Sequence, residues 1–515
     1  METDVGRNVT VWMRGADVPA QSGLTENTQA DVCIVGAGIA GLTTAYMLTR
    51  EGKSVVVLDD GVIAGGETVH TTAHLSNAND DRYHELERMH GEQGARLAAQ
   101  SHTAAIDRIE QIVREEEIDC DFARLDGYLF VPEGESKDVL DDELKAAHRA
   151  GLTGVEKVER APLESFDTGA ALKFPQQGQF HIIKYMAGLA DAVKRNRGRI
   201  YTGTHVNKIK GGKSARVETD NGHTVTAGSI VVATNTPVND LVAIHTKQAP
   251  YRTYVIGARI PRGSVPTILL WDTPDPYHYV RLQAMRGDGG GGAEYDVLIV
   301  GGEDHKTGQT DDYDGPYARL EAWTRERFPS VESIEYRWSG QVMEPVDGLA
   351  YIGRNPLDAD NVFIATGDSG HGMTHGTIAG MLLTDLILGR RNEWESLYDP
   401  SRKPLGAPVE FAQENLNVAA QYTDLVTGGD VSSVDEIALD SGAVMRRGLS
   451  KIALYRDERG TVYQRSAICT HLGCVVAWND TEKSWDCPCH GSRFDKKDGH
   501  VLNGPAISAL AAVDE

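Results

Sequence analysis

The sequence predicts an α/β domain wound around a parallel sheet, a second domain built on an antiparallel sheet, and a small all-β module at the C-terminus. Three observations carry that expectation. Near the N-terminus an apolar strand runs into three closely spaced glycines, a helix and a second apolar strand. From Tyr251 to Val300 apolar and polar residues alternate with the period of half-buried strands. From about Asp430 short strands and turns replace helices and lead into two loops rich in Cys and His.

Asp31 to Gly36 (DVCIVG) reads as a buried strand, and Gly36, Gly38 and Gly41 form GxGxxG at the mouth of a helix. Gly36 permits a tight turn, Gly38 lets the backbone approach a pyrophosphate, and Gly41 lets helix and strand pack closely, with the phosphate charge facing the helix N-terminus. Good helix formers run from Thr43 to Glu51 and stop at Gly52, after which Ser54 to Leu58 is a second apolar strand ending at Asp59. Asp59 lies eighteen residues past Gly41, which suits a carboxylate gripping ribose hydroxyls and speaks against NADP. The motif alone does not separate FAD from NAD. A second strand, glycine turn and helix at Asn361 to Gly380 (NVFIATGDSGHGMTHGTIAG) favours FAD. An FAD bound in extended form needs a late helix N-terminus, here Gly367 to Thr374, facing the negative side of the isoalloxazine.

The remaining elements follow in order. Met1 to Asp31 reads as a leader arm and Val32 to Leu75 as the first nucleotide-binding unit. Leu86, Met89, Leu97, Ile106, Ile109 and Ile112 give Arg82 to Glu117 a helical period. It precedes the strand DGYLFVP, and a further amphipathic helix covers Tyr185 to Arg195. Strands over Arg199 to Ile209, Ala215 to Thr219 and Ser229 to Ala233 return the chain to the first domain. The tip Gly287 to Gly292 reads as a hairpin end, because no helix-opening Lys, Ser or Thr pattern follows it. A helix over Thr377 to Leu388, a polar linker over Gly389 to Glu410 and a last helix over Asn415 to Thr427 lead into the short strands of the C-terminal module.

In that module Cys469 and His471 form CxH, and Cys487 and His490 form CxxH, with fifteen residues between the two halves. Two thiolates on one iron and two imidazoles on the other make a Rieske [2Fe–2S] cluster, whose neutral His ligands raise its potential above that of an all-Cys cluster. Zinc is the alternative for short Cys and His pairs. A zinc knuckle does not account for Cys474, Cys489, Ser492 or the later Gly504 to Ala506. The wording CTHLGC and CPCHGS resembles the respiratory Rieske proteins. That resemblance implies a Cys474–Cys489 disulfide clamping the two loops, and a hydrogen bond from Ser492 to a bridging sulfur. It also places a Tyr where this chain has Phe494, and the lost donor implies a potential below that of the respiratory proteins but within the Rieske range.

The first 400 or so residues resemble the D-amino-acid oxidase-like flavoproteins, the group of glycine and sarcosine oxidases. The resemblance rests on GAGIAGL with VVVLDD, on GETVHTTAHL (Gly66 to Leu75), on VVATNTP (Val231 to Pro237), on WSGQVMEPVDGLAYIG (Trp338 to Gly353) and on ATGDSGHGM. It implies an FAD-binding domain, Rossmann-like and of the glutathione-reductase type, with an antiparallel-sheet substrate domain roofing the flavin. Gly36, Gly38, Gly41 and Asp59 are then expected to hold the ADP part of FAD. Thr72 and Ala73 meet pyrophosphate and flavin, the backbone of Val206 contacts adenine, and Gly367, Asp368, Gly372, Met373 and Thr374 line the flavin ring. Family members with covalent FAD use a Cys or His near the ring; Cys33 lies in the first strand and Cys120 after a helix, so noncovalent FAD is expected. His74 and His371 remain candidates for attachment or acid/base work. Tyr279 and Arg281 share a face of an alternating strand, and an Arg there suits a substrate carboxylate. Gln341 and Met343 are weaker candidates near the flavin.

On this reading residues 1–414 form the flavoprotein, with FAD-binding segments at about 28–80, 195–245 and 340–395 and substrate-domain segments at about 81–194 and 246–339. Residues 415–429 are a linker and 430–515 the Rieske domain. The net charge of −24, from 75 acids and 51 bases, disfavours nucleic acid and suits a solvated acidic surface that also steers cations. No apolar run reaches membrane length, the start METDVGRNVTVWM lacks an export signal, and four of six cysteines belong to the cluster motif, so a cytoplasmic location is expected. No two-His, one-carboxylate iron domain follows the cluster, which separates the chain from Rieske oxygenases. The expected function is an FAD-dependent oxidation of an amine, amino acid or similar C–H donor. Electrons then pass singly through the cluster to an outside acceptor, whether protein, quinone or oxygen. Reverse flow from an external donor, and a role as electron carrier or redox sensor, are the alternatives.

Overall fold

The fold is that of a computed structural model, which describes residues 9–16, 18–239, 244–285 and 294–513. The glycine-rich tip Gly287 to Gly292 lies outside the described residues. Strand Thr28–Val35 sits at the centre of a parallel sheet, flanked by Val55–Leu58 and Thr224–Val232. Arg199–Tyr201 and Val362–Thr366 extend the parallel set on either side, and Tyr351–Arg354 closes one edge antiparallel. Helices Ile39–Arg50, Ile182–Arg195 and Gly372–Ile387 cover one face and a small β-meander the other, so the central strands are buried toward their carboxyl ends, where they read as apolar runs such as Val55–Leu58.

The first strand ends at Gly36, where φ is +106° and an added Cβ would lie 2.3 Å from the carbonyl oxygen of Ala233. At Gly41 an added Cβ would lie 1.9 Å from the Gly36 carbonyl oxygen, so helix Ile39–Arg50 packs backbone against backbone on the turn. The stretch read as one strand from Arg199 to Ile209 is two, because Val206–Lys210 leaves the parallel sheet for a meander with Arg216–Thr219 and Thr224–Val232.

The second sheet has nine strands and is antiparallel except where Leu269–Asp272 runs parallel to Ala123–Phe130. Those two strands lie far apart in sequence and are not joined by a hairpin, so no turn dictates their direction. The helix expected over Arg82 to Glu117 spans Tyr83–Glu115 and breaks at Gly91 (φ 71°, ψ 169°). The leader arm is a structural part of the domain. Trp12, fully buried in a short 3-10 turn, donates its indole N–H to the Thr71 carbonyl at 2.7 Å.

Two small antiparallel sheets make the C-terminal module, one of Ser441–Arg447, Ser450–Arg456 and Val462–Ser466, the other of four short strands from Ala477–Asn479 to Val501–Asn503. The helix before it covers Pro408–Gln421 and continues as a 3-10 turn to Leu425. It starts seven residues ahead of the expected Asn415, with Pro408 in its first turn, where a missing N–H costs nothing. The module docks on both other domains. Arg252, on Gln248–Pro261, ion-pairs with Glu482 of the module, which also pairs with Arg493; Arg493 donates in turn to Asp486 at 3.0 Å. All four side chains are buried at 4% exposure or less, a level at which charges persist only when paired.

Candidate functional site

A cavity of about 320 Å³ opens at the carboxyl ends of the parallel strands and runs under the antiparallel sheet. On the parallel-sheet side its wall includes Gly36, Gly38, Asp59, Val206, Gly367 and Asp368, with Thr72, Gly372 and Met373. Facing them are Thr253, Trp271, Tyr279 and Asp304 from the antiparallel sheet, with Tyr277 just ahead of strand His278–Met285. Asp59 accepts from the Ala37 N–H at 2.6 Å and the Gly61 N–H at 2.9 Å, which fixes the carboxylate at the edge of the cavity. Gly38 leaves a cradle that a Cβ would fill, 2.9 Å from the Thr68 hydroxyl. Helix Gly372–Ile387 has no side-chain cap, so its first-turn N–H groups and dipole are offered to the cavity. This helix starts five residues before the expected Thr377. A dinucleotide cradle, a ribose-gripping acid and a late helix N-terminus together fit FAD.

Several expected site residues lie elsewhere. Gly41 serves strand–helix packing behind the cavity wall. Ala73, with φ 58°, is buried beneath its loop, its N–H donating to the Thr71 hydroxyl. Thr374 turns away from the cavity, accepting from His102 Nδ1 at 2.8 Å and donating to the His371 carbonyl. Met343 is buried outside the wall, whereas its neighbours Gln341 and Val342 line it.

Arg281 corrects the largest expectation. It is 1% exposed and donates to the carbonyls of Thr72, Ala73 and Phe180 at 2.9–3.1 Å and to Gln283, with its guanidinium 5.1 Å from the Trp12 ring centre. It does not line the cavity, and burial lowers its pKa to about 9. Arg281 orders the Thr72–Ala73 loop instead of clamping a carboxylate. We expect Arg281→Leu to weaken FAD binding by roughly tenfold or more, the loss of one charge-assisted contact set, without shifting preference toward substrates that lack a carboxylate. FAD release and donor profile, measured side by side, check this.

His74 lines the cavity with both ring nitrogens engaged, Nδ1 with the Thr72 hydroxyl at 2.9 Å and Nε2 with the Val280 carbonyl at 3.3 Å. Burial, helped by Arg281, lowers its pKa to about 3, so the ring stays neutral and orders the loop rather than carrying a proton. Tyr279 bonds the Thr253 hydroxyl at 2.6 Å. At His371 burial opposes a charge, but Asp80, Asp81 and Asp368 outweigh it and raise the pKa. The neutral ring accepts the Asp80 N–H at 3.0 Å, and the protonated ring faces the Asp80 carboxylate at 3.4 Å.

The cluster residues converge in the C-terminal module. Cys469 and Cys487 are buried at 2% and 1% exposure, and the rings of His471 and His490 lie 5.0 Å apart. The two thiols hydrogen-bond one another, which lowers the pKa of Cys469 to about 7. Cys474 and Cys489 form the disulfide, Cα to Cα 6.5 Å. Two thiols and two imidazoles in one buried pocket fit the Rieske donor set. Ser492 accepts from the Ala506 N–H at 3.0 Å, and Phe494 is fully buried in the core that holds both thiols. We expect Phe494→Tyr to raise the cluster potential by on the order of 50 mV, the one-electron equivalent of a hydrogen bond worth about 1 kcal/mol. A redox titration followed by electron spin resonance checks it.

Cavity and cluster share a wall. Gln341, which lines the cavity, donates Nε2 to the Gly491 carbonyl at 3.0 Å, one residue past His490. Glu67 bonds the Gln341 N–H at 2.7 Å and Asn503 of the module at 2.8 Å. The ring of His245 packs edge-on against His471 at 4.7 Å and His490 at 5.7 Å. Sequence reasoning missed Glu67, Asp80, His245, Asp304 and Glu344. Only the GETVH wording at Glu67 offered a signal.

This fold and this pair of sites define an FAD-dependent oxidoreductase carrying a Rieske iron–sulfur domain. The family model for FAD-dependent oxidoreductases of the DAO type matches residues 31–386, and the chain belongs to that family; the Rieske [2Fe-2S] domain model matches residues 429–514. The chain is 32% identical over 510 residues to the putative Rieske 2Fe-2S iron-sulfur protein YhfW of Bacillus subtilis, covering 98% of this chain and 97% of that one. It is 27% identical to gamma-glutamylputrescine oxidoreductase of Escherichia coli, over 72% of this chain and 87% of the relative. Glycine oxidase from Geobacillus kaustophilus shares the fold, with a TM-score of 0.60 at 19% identity over 73% of this chain and 99% of that one.

Proposed function

We propose that the enzyme oxidises an amine or amino acid C–H donor and passes the electrons singly to an outside acceptor, a protein, quinone or oxygen. When bound, FAD supplies a two-electron hydride acceptor and the cluster a one-electron carrier. The chain's own residues hold the donor and exclude water. Trp271, Tyr277 and Tyr279 form an aromatic wall over the cavity, and the Thr253–Tyr279 hydrogen bond fixes that wall. The Arg281 contacts hold the Thr72–Ala73 loop, and Glu67 ties the cavity floor to the module. The single observation that carries this reading is the Gln341–Gly491 hydrogen bond, which joins a cavity-lining side chain to the residue beside a cluster ligand. Buried Cys33 and Cys120 do not line the cavity, which supports noncovalent FAD. Two free thiols outside the cluster motif, Cys33 and Cys120, beside one local disulfide support a cytoplasmic location.

The test is anaerobic titration with amines and amino acids. Bleaching of the flavin followed by a Rieske spin signal is the expected sequence. A flavin that no donor bleaches, in protein whose cluster a reduced partner protein readily fills, overturns the direction of flow.

A further inference from the structure

Among the described residues, the wall of the cavity holds no Arg or Lys. Three carboxyl groups, Asp80, Asp304 and Glu344, line it together with the aromatic faces of Trp271 and Tyr277, and Asp368 stands on the parallel-sheet wall. The nearby cations are already used. Arg281 is spent on backbone carbonyls, and Arg82 donates to the carbonyls of Asn79, Asp80 and Asp272 at 3.0–3.3 Å. Of the wall histidines, His70 and His375 have lowered pKa values through burial, His74 is neutral, His371 faces Asp80, and His205 is paired with Asp60 at 3.2 Å. The carboxyls are half-buried and crowded. Ser369 sits between Glu344 at 2.8 Å and Asp81 at 3.0 Å, and its one hydroxyl proton serves one of them at a time.

Asp304 is the exception in this group, because its buried Oδ1 has no hydrogen-bond partner. Burial raises its pKa to about 7 against a hydrogen bond from the Thr253 side chain, and Asp80 and Asp275 add to the rise. An ammonium ion beside it would reverse both effects, whereas a carboxylate in the same place would add to them. Aromatic faces attract cations independently, through their negative π surfaces.

Resting on the oxidoreductase reading above, we propose that the cavity selects an organic ammonium ion, a primary or secondary amine without a carboxylate beside the reacting carbon, and that Asp304 is the group that pairs with it. Amino acids are poor ligands on this account, since their carboxylate finds no partner cation. The distinction separates this site from one built for amino acids, where a fixed guanidinium or ammonium faces the substrate.

The experiment uses the full-length, cofactor-loaded protein and two probes of similar shape that cannot be oxidised at the reacting position, benzyltrimethylammonium and benzoate. At equal ionic strength the cation is expected to perturb the flavin spectrum and raise the melting temperature, and benzoate to do neither. Asp304→Asn is expected to weaken the cation by roughly 10- to 100-fold, the range for a hydrogen bond or contact to a charged group, with flavin content unchanged. Asp304→Glu, which keeps the charge, stays within a few-fold of the native protein. Benzoate binding as tightly as the cation, binding of neither probe, or an Asn variant that binds the cation normally overturns the proposal. Selective cation binding in protein whose flavin no amine bleaches upholds it and counts against the direction of flow instead.

Discussion

Gly36→Ala yields protein without bound flavin. The φ of +106° at this position costs an L-residue on the order of 1–2 kcal/mol. The new Cβ would also lie 2.3 Å from a backbone oxygen, that of Ala233, which belongs to the sheet and cannot rotate away as a side chain can. The turn must open, and opening it moves Gly38 and the first turn of helix Ile39–Arg50 off the cavity wall, where a pyrophosphate needs close backbone approach. The Rieske module rests on its own two sheets and its own disulfide, so its spin signal is expected to survive. The ratio of flavin absorbance to cluster signal in purified protein reads the effect. Full flavin occupancy in the variant would contradict the assigned role of the turn.

Glu482→Gln undocks the module. Removing one partner from a buried ion pair costs about 3–5 kcal/mol, because the other charges stay desolvated. Arg252 would keep only its Ser339 contact, while Arg493 retains Asp486. The same network makes docking acid-sensitive. Burial works against the Glu482 carboxylate, but Arg252 and Arg493 outweigh it and hold its pKa at about 2. A folded pKa below the unfolded value of about 4.3 means that the stabilisation is fully present above pH ~5 and drains away as pH falls toward 2. The shift corresponds to roughly 3 kcal/mol. Limited proteolysis at the 426–430 segment across this pH range, in native and variant protein, measures both effects; an acid-resistant native protein or a fully docked variant counts against the network.

The parts of this molecule written plainly in its sequence are those where backbone geometry or metal chemistry admits few residues. Gly36, Gly38 and Gly41 mark a turn that a Cβ would block, and Cys469, His471, Cys487 and His490 supply a donor set with few other uses. The substrate side was hidden because its wall comes from distant segments, with Asp80 after the first unit, Asp304 at the far end of a strand and Glu344 on another. Arg281 shows the limit of period-two reasoning. The alternation placed it on the face of Tyr279, but not where its long side chain ends, and two carbonyls of the Thr72–Ala73 loop and that of Phe180 claim it. Trp12 was passed over because a polar leader arm gives no sign that one buried indole pins the flavin loop.

Transfer from flavin to cluster inside one chain is the claim that orders the rest. Rapid mixing of oxidised protein with a reducing amine, without oxygen and over a wide range of protein concentration, tests it most directly when flavin bleaching and the growth of the Rieske spin signal are followed together. The expected result is a cluster signal that rises after the flavin bleaches at a first-order rate independent of protein concentration. A rate that scales with protein concentration, or a cluster that stays oxidised beside a fully reduced flavin, would contradict it.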